Sequence, residues 1–97
     1  MTDYNNFEYS IVFEEENHRS CAYDQSKQIG ECEFSEADNI WFISHTGVRP
    51  EYEGKGIARK LVEKVIEEAR KRQKRIVPIC SYAKHMMTGK EEYKDVL

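Results

Sequence analysis

Residues 48–60 read Val-Arg-Pro-Glu-Tyr-Glu-Gly-Lys-Gly-Ile-Ala-Arg-Lys. An apolar strand runs into this stretch and a long amphipathic helix runs out of it. Gly54 and Gly56 have no Cβ, so the backbone turns tightly and lets a ligand approach closely. The first N–H groups of the helix lack intrahelical partners, and the helix dipole places partial positive charge at the same end. Phosphate or pyrophosphate is the natural guest of such a junction. A plain strand-to-helix turn is the alternative. Two reactive side chains lie on the flanking strands. His45 carries an imidazole, whose ordinary pKa of about 6.5 suits proton transfer near neutral pH; otherwise it is a structural histidine bonded within the sheet. Cys80 carries a thiol that could act as a nucleophile if ionised. Its other reading is a small apolar residue lining a pocket.

The glycine turn is not a Walker loop, because the spacing G-x-x-x-x-G-K-[ST] is absent. A dinucleotide fingerprint needs a third glycine or alanine at position 59, where Arg59 stands. It also needs a βαβ unit near the start of a parallel sheet, and here about fifty residues of strand-like sequence come first.

The elements that must position these groups are legible from periodicity and turn residues. The stretch Glu14-Glu15-Glu16 marks a solvated face or a turn. A short strand is expected over 19–23, a turn over 24–27, and the returning strand of a hairpin over 28–34. Residues 35–39 form a second turn. Ile40-Trp41-Phe42-Ile43 begins a strand apolar on both faces, as in a central, doubly covered strand. Trp41 is core, with an N–H that should find a partner. Ile57, Leu61, Val62, Val65, Ile66 and Ala69 recur at helical spacing, predicting one long helix over 54–73. Glu67–Lys71 and Glu68–Arg72 add i,i+4 pairs on its polar face. Residues 75–80 form a fourth strand, in which Pro78 belongs at an edge or a break in pairing. A short helical segment follows Cys80. His18 and His85 are read as exposed, and Met86 and Met87 as core or pocket wall.

The run Glu53-Gly54-Lys55-Gly56-Ile57-Ala58 resembles the acetyl-CoA loop of the GNAT superfamily of N-acetyltransferases, Arg or Gln followed by x-x-Gly-x-Gly or Ala. Gly56 and Ala58 fill the last two small positions. Glu53 stands where Arg or Gln is usual, and Lys55, Arg59 and Lys60 are expected to offset its charge. His45-Thr46-x-Val48, Leu61-Val62-Glu63, Ala69-Arg70, Val77-Pro78-x-Cys80 and the tail with Glu92-Tyr93 and Asp95-Val96 extend the resemblance to very small proteins of that superfamily. The family often has Glu after His-Thr; Gly47 stands there in this chain. The resemblance implies a minimal GNAT-like α+β fold with a mixed, mostly antiparallel sheet, one long CoA-binding helix and a short C-terminal helix. It implies acetyl-CoA as co-substrate, held by Val48, Glu53, Gly54, Lys55, Gly56, Ile57, Ala58 and Arg59. In such folds the strands on either side of the CoA helix splay apart; Pro78 and a bulge-prone Gly47 suit that splay. The resemblance also implies a backbone N–H near Val48 that polarises the thioester carbonyl. His45 and Cys80 then take the catalytic positions, with Tyr82 or Tyr93 as proton donor to departing CoA. Direct attack by the amine is favoured over an acetyl-cysteine intermediate, because an ordinary thiol, with pKa about 8.5, is mostly protonated at neutral pH. Two functions follow: an N-acetyltransferase acting on a small amine or a lysine, or a CoA-binding or interaction module without catalysis.

Length and composition bound the rest. With 97 residues, one domain over 11–97 is expected, preceded by a poorly ordered extension over 1–10. Such a chain buries one modest core, and a monomer or weak homodimer is expected. The net charge is −3, from 18 acidic and 15 basic residues that are interspersed. No basic block suits nucleic acid. No long apolar run or signal-like start suits a membrane. Cys21, Cys32 and Cys80 are odd in number and lack metal-like spacing, so no disulfide framework and no metal site is expected, and a reducing cytoplasm fits.

Overall fold

The structure is a computed structural model and describes residues 8–97; most of the expected N-terminal extension, residues 1–7, lies outside the described residues. Five strands form one sheet in the order of the chain. They are β1 (Ser10–Glu14), β2 (Arg19–Asp24), β3 (Lys27–Ala37), β4 (Ile40–Val48) and β5 (Arg75–Pro78). The first four pair antiparallel, and β5 pairs parallel with β4. That parallel pair requires a crossover, which is supplied by helix α1 (Ile57–Lys71). A short helix α2 (Ser81–Met87) follows β5. The result is a small α+β fold with a mixed, mostly antiparallel sheet.

Several sequence expectations change, among them the bounds of α1, which starts at Ile57 after the glycine turn and not at 54, and of β5, which ends at Pro78 and not at 80. Strand β1 was not foreseen, because Ile11, Val12 and Phe13 are too short a run to show a period; the acidic stretch behind it makes a 3₁₀ turn, Glu15–Asn17. The second turn shrinks to Asp38-Asn39, since β3 continues to Ala37 and pairs with Ile40. Asp38 takes the left-handed φ of 56° that such a tight hairpin needs. Strand β4 is covered on one face only. Trp41 and Ile43 are buried under α1, whereas Ile40 and Phe42 are half-buried on the other face. Glu67 pairs with Lys64 rather than Lys71, and Lys71 turns to Glu68.

The core lies between the sheet and α1. The helix buries the expected stripe of Ile57, Leu61, Val62, Val65, Ile66 and Ala69. Each large member contributes about 1.5–3 kcal/mol on burial. Ser20, fully buried on β2, donates to the Leu61 carbonyl at 2.8 Å and ties the first turns of α1 to the sheet. Met86 and Met87 from α2, with Tyr93 and Val96 beyond it, complete the core. The Ile76 N–H donates to the Val96 carbonyl at 2.6 Å, so the C-terminal segment lies along β5. Trp41 stacks on Phe34 with ring centres 4.1 Å apart. Among the described residues its indole N–H makes no hydrogen bond, contrary to expectation. No helix among the described residues is long and apolar enough to cross a membrane.

Candidate functional site

The site begins where β4 and β5 part. Their pairing ends at Ile43 and Pro78. The next two N–H groups, of Ile79 and Cys80, both converge on the Ile43 carbonyl at 2.9 and 3.0 Å, and the chain then turns into α2. Strand β4 runs on to Val48 with no strand among the described residues beside it on this edge. The Arg49 N–H donates to the Ile29 carbonyl at 2.8 Å, which brackets Val48 and Gly30 as a non-hydrogen-bonded pair of the β3–β4 ladder. The alternation of an antiparallel ladder then turns the Val48 N–H and carbonyl away from β3, toward the gap. Pro78 lies in the outer row of β5, whose N–H groups face away from β4 as that of Ile76 does, so its missing N–H costs the ladder no bond.

The gap opens into a cleft of about 420 Å³. Thr46, Gly47 and Val48 form one wall, and the turn before α1 forms another. Gly54 and Gly56 have φ of 81° and 80°, the left-handed region that glycine adopts without strain, and a Cβ at either would meet no protein atom within 4 Å. Gly56 is the N-cap of α1 and offers no capping side chain. The first helical bond is the Lys60 N–H to the Gly56 carbonyl at 3.3 Å, so the amides of residues 57–59 have no intrahelical acceptor. A 3₁₀ turn, Pro50–Tyr52, precedes the glycines. The Tyr52 hydroxyl donates to Asp24 at 2.6 Å and fastens this loop to the β2–β3 hairpin. That bond to a carboxylate pushes the Tyr52 pKa up.

Of the eight residues expected to hold a ligand, Val48, Glu53, Gly54, Gly56, Ile57, Ala58 and Arg59 line the cleft; Lys55 is in the same loop but not in its wall. The expected charge compensation for Glu53 is weaker than the sequence suggests. The Arg59 guanidinium is already drawn to Glu63 at 3.2 Å and Glu92 at 3.8 Å. Lys60 lines a depression beside Ile11 on another side of the helix.

The reactive side chains divide between the faces of β4. Partners Phe34–Ile43 and Glu33–His45 leave Ser44 as an extra, bulged residue. Counted by twos from Ile43, His45 would face α1. The bulge shifts the count by one, so Thr46 and Val48 take the helix side and His45 takes the opposite face. Gly47 is not the bulge. His45 Nε2 lies 2.8 Å from Glu31 Oε2, and its side chain is half-exposed. Cys80 stands one side chain behind the cleft wall. Its sulfur is 3.5 Å from Thr46 Oγ1 and accepts the Ala83 N–H at 3.4 Å, capping α2. Thr46 Oγ1 also lies 3.5 Å from the Cys32 sulfur, whose thiol is pushed up to about 12 by burial. Tyr82 is exposed and lines the cleft. Tyr93 is buried, with its hydroxyl 3.5 Å from Arg59 Nη2, and burial pushes its pKa up.

Sequence reading missed Glu31, Thr46 as a link between sulfurs, and the Tyr52–Asp24 latch. Glu31 had one faint signal, its place in the alternating Glu31-Cys32-Glu33-Phe34 stretch. The carboxylate that the resemblance would put at position 47 is absent. Glu31, directly opposite Gly47, brings one from the neighbouring strand.

A family model described as GCN5-related N-acetyl-transferase matches residues 19–96. Among solved structures, the chain is 33% identical to a GCN5-like N-acetyltransferase candidate from Staphylococcus aureus, with a TM-score of 0.68, covering 94% of this chain and 87% of that one. It is 25% identical to a GCN5-related N-acetyltransferase from Sphaerobacter thermophilus, with a TM-score of 0.60, over 64% of this chain but 21% of that longer one. A Clostridium acetobutylicum protein assigned as an acetyltransferase and solved with acetyl-CoA shares the fold at 15% identity, with a TM-score of 0.59, over 75% of this chain and 57% of that one. No curated protein matches the chain.

Proposed function

Because the chain belongs to the GCN5-related N-acetyltransferase family, matched over residues 19–96, we propose that it transfers an acetyl group from acetyl-CoA to a primary amine by direct attack. The observation that carries this reading is the paired ends of one cleft. The glycine turn and the uncapped start of α1 lie at one end, and the gap edge of β4 with the Val48 N–H lies at the other. On this reading the pyrophosphate of acetyl-CoA rests on the amides of the turn, as anions do at helix N-termini. The thioester carbonyl accepts from the Val48 N–H, a fixed donor aimed at developing negative charge.

Transfer begins with an ammonium that gives one proton to His45. The freed lone pair attacks the thioester carbon and forms a tetrahedral intermediate. Its collapse breaks the C–S bond, and the electron pair leaves on the CoA sulfur. The surplus proton on nitrogen passes to that thiolate, with Tyr82 as the hydroxyl placed to relay it. His45 returns its proton to water. Cys80 has a structural duty as the cap of α2 and is not needed as a nucleophile.

The test is free CoA release with a panel of amines, beside mass spectrometry of the protein mixed with acetyl-CoA. His45→Ala should lower turnover about 100-fold or more with little change in acetyl-CoA affinity. Cys80→Ser should retain most activity. An acetyl adduct on Cys80 that disappears when amine is added would replace direct attack with ping-pong transfer. Glu53 in the cleft, with Arg59 already engaged, favours a second reading, a CoA-binding module without catalysis. Acetyl-CoA binding without turnover on any amine would select it.

A further inference from the structure

On the sheet face away from α1, a shallow hollow is lined by Gln28, Glu31, His45 and Arg49 over the backbone of Gly47 and Val48. The same two residues line the cleft. The cleft and the hollow therefore meet at Gly47 and Val48, and at Gly47 that shared wall has no side chain.

The hollow holds a built hydrogen-bond chain. Gln28 Nε2 donates to Glu31 Oε1 at 3.1 Å, and His45 Nε2 lies 2.8 Å from Glu31 Oε2. Both oxygens of one carboxylate are engaged, so its orientation is set. An ionised carboxylate only accepts, so His45 Nε2 carries the hydrogen. In the neutral imidazole the lone pair is then on Nδ1. The space for this arrangement depends on Gly47. A Cβ there would stand 3.0 Å from His45 Nε2 and 3.3 Å from Glu31 Oε2.

We propose that Glu31 is a positioning residue that fixes His45 with Nδ1 as its basic atom. The proposal rests on the acetyl-transfer reading and adds to it the carboxylate that sets the base. Glu33 lies on the same face, with Arg19 opposite Glu33 and Arg49 at the rim as the nearby cations.

Glu31→Gln keeps the size and removes the charge. It should lower kcat 10- to 100-fold and leave the KM for acetyl-CoA within about twofold. A readout independent of turnover is the ¹⁵N spectrum of the imidazole. In the wild type His45 should be the Nε2–H tautomer, and in Glu31→Gln the two tautomers should mix. Gly47→Ala should disturb the same spectrum. Wild-type kcat in Glu31→Gln, or an unchanged tautomer, overturns the positioning role. A wild-type protein that acetylates no amine overturns the underlying acetyl-transfer reading instead, whether or not it binds acetyl-CoA.

Discussion

Gly47 and Glu31 face each other across β4 and β3, and the side chain that Gly47 lacks is the space in which Glu31 reaches His45. The pair shows how a small sheet can place a carboxylate beside a histidine without any motif that joins them in sequence. It also makes position 47 sensitive in a way that its exposure does not suggest.

Gly54 and Gly56 are expected to fail on conformation, not on crowding. A non-glycine residue at their φ costs roughly 1–2 kcal/mol, while a Cβ at either meets no protein atom within 4 Å. Gly56→Ala should weaken acetyl-CoA binding about tenfold. Gly56→Asn should weaken it less, since Asn visits the left-handed region more readily. Calorimetric titration of both variants, with folding checked by circular dichroism, decides this. Equal, wild-type affinity in both would remove the turn from the site.

Ser44 is the extra residue of β4, and it stands just past the last pair of β4 with β5. Bulges bend and twist the strand that holds them. Deleting Ser44 leaves Glu33–His45 and Phe34–Ile43 as consecutive pairs of a regular ladder. The expected outcome is a folded protein with a straighter β4, a narrower gap and acetyl-CoA affinity at least tenfold lower. Affinity and amide exchange across 44–48 are the measurements. An intact fold with full affinity would show that the bulge does not set the gap.

The Tyr52–Asp24 bond holds the turn before the glycines against the hairpin. Tyr52→Phe removes the donor and keeps the ring. Amide exchange over 49–56 should quicken, and acetyl-CoA affinity should fall several-fold. Unchanged exchange there would mean that the loop is held by other contacts.

Glu14 supplies the acid sensitivity of the β1–β2 pair. The Tyr23 hydroxyl first, and Arg19 at 2.7 Å next, hold its carboxyl at about 2 against an ordinary 4.5. A carboxylate with a depressed folded pKa stabilises the fold above its unfolded pKa, and that contribution is lost as pH falls through the folded value. Stability should therefore decline between about pH 4.5 and 2. Glu14→Gln should cost about 1–2 kcal/mol at neutral pH and flatten that part of the acid limb. Urea melts from pH 2 to 7 measure both; an unchanged acid limb in the variant would assign the loss to other carboxylates.

The sequence by itself determined what depends on neighbours a few residues apart. The apolar stripe of α1 follows from i, i+3 and i+4 spacing, and the turn at Gly54 and Gly56 follows from residues that accept positive φ. Pro78 at an edge follows from its missing N–H. The tertiary structure decided everything that depends on register between strands. Alternation along β4 would put His45 under α1, and only the ladder with β3 shows that Ser44 is unpaired and turns His45 to the other face. Glu31 and His45 are fourteen positions apart, Asp24 and Tyr52 twenty-eight, and Thr46 and Cys80 thirty-four. No local preference encodes those contacts. They arise because burying the faces of β2, β3 and β4 under one helix allows a single set of cross-strand partners, and that set carries the polar side chains into place.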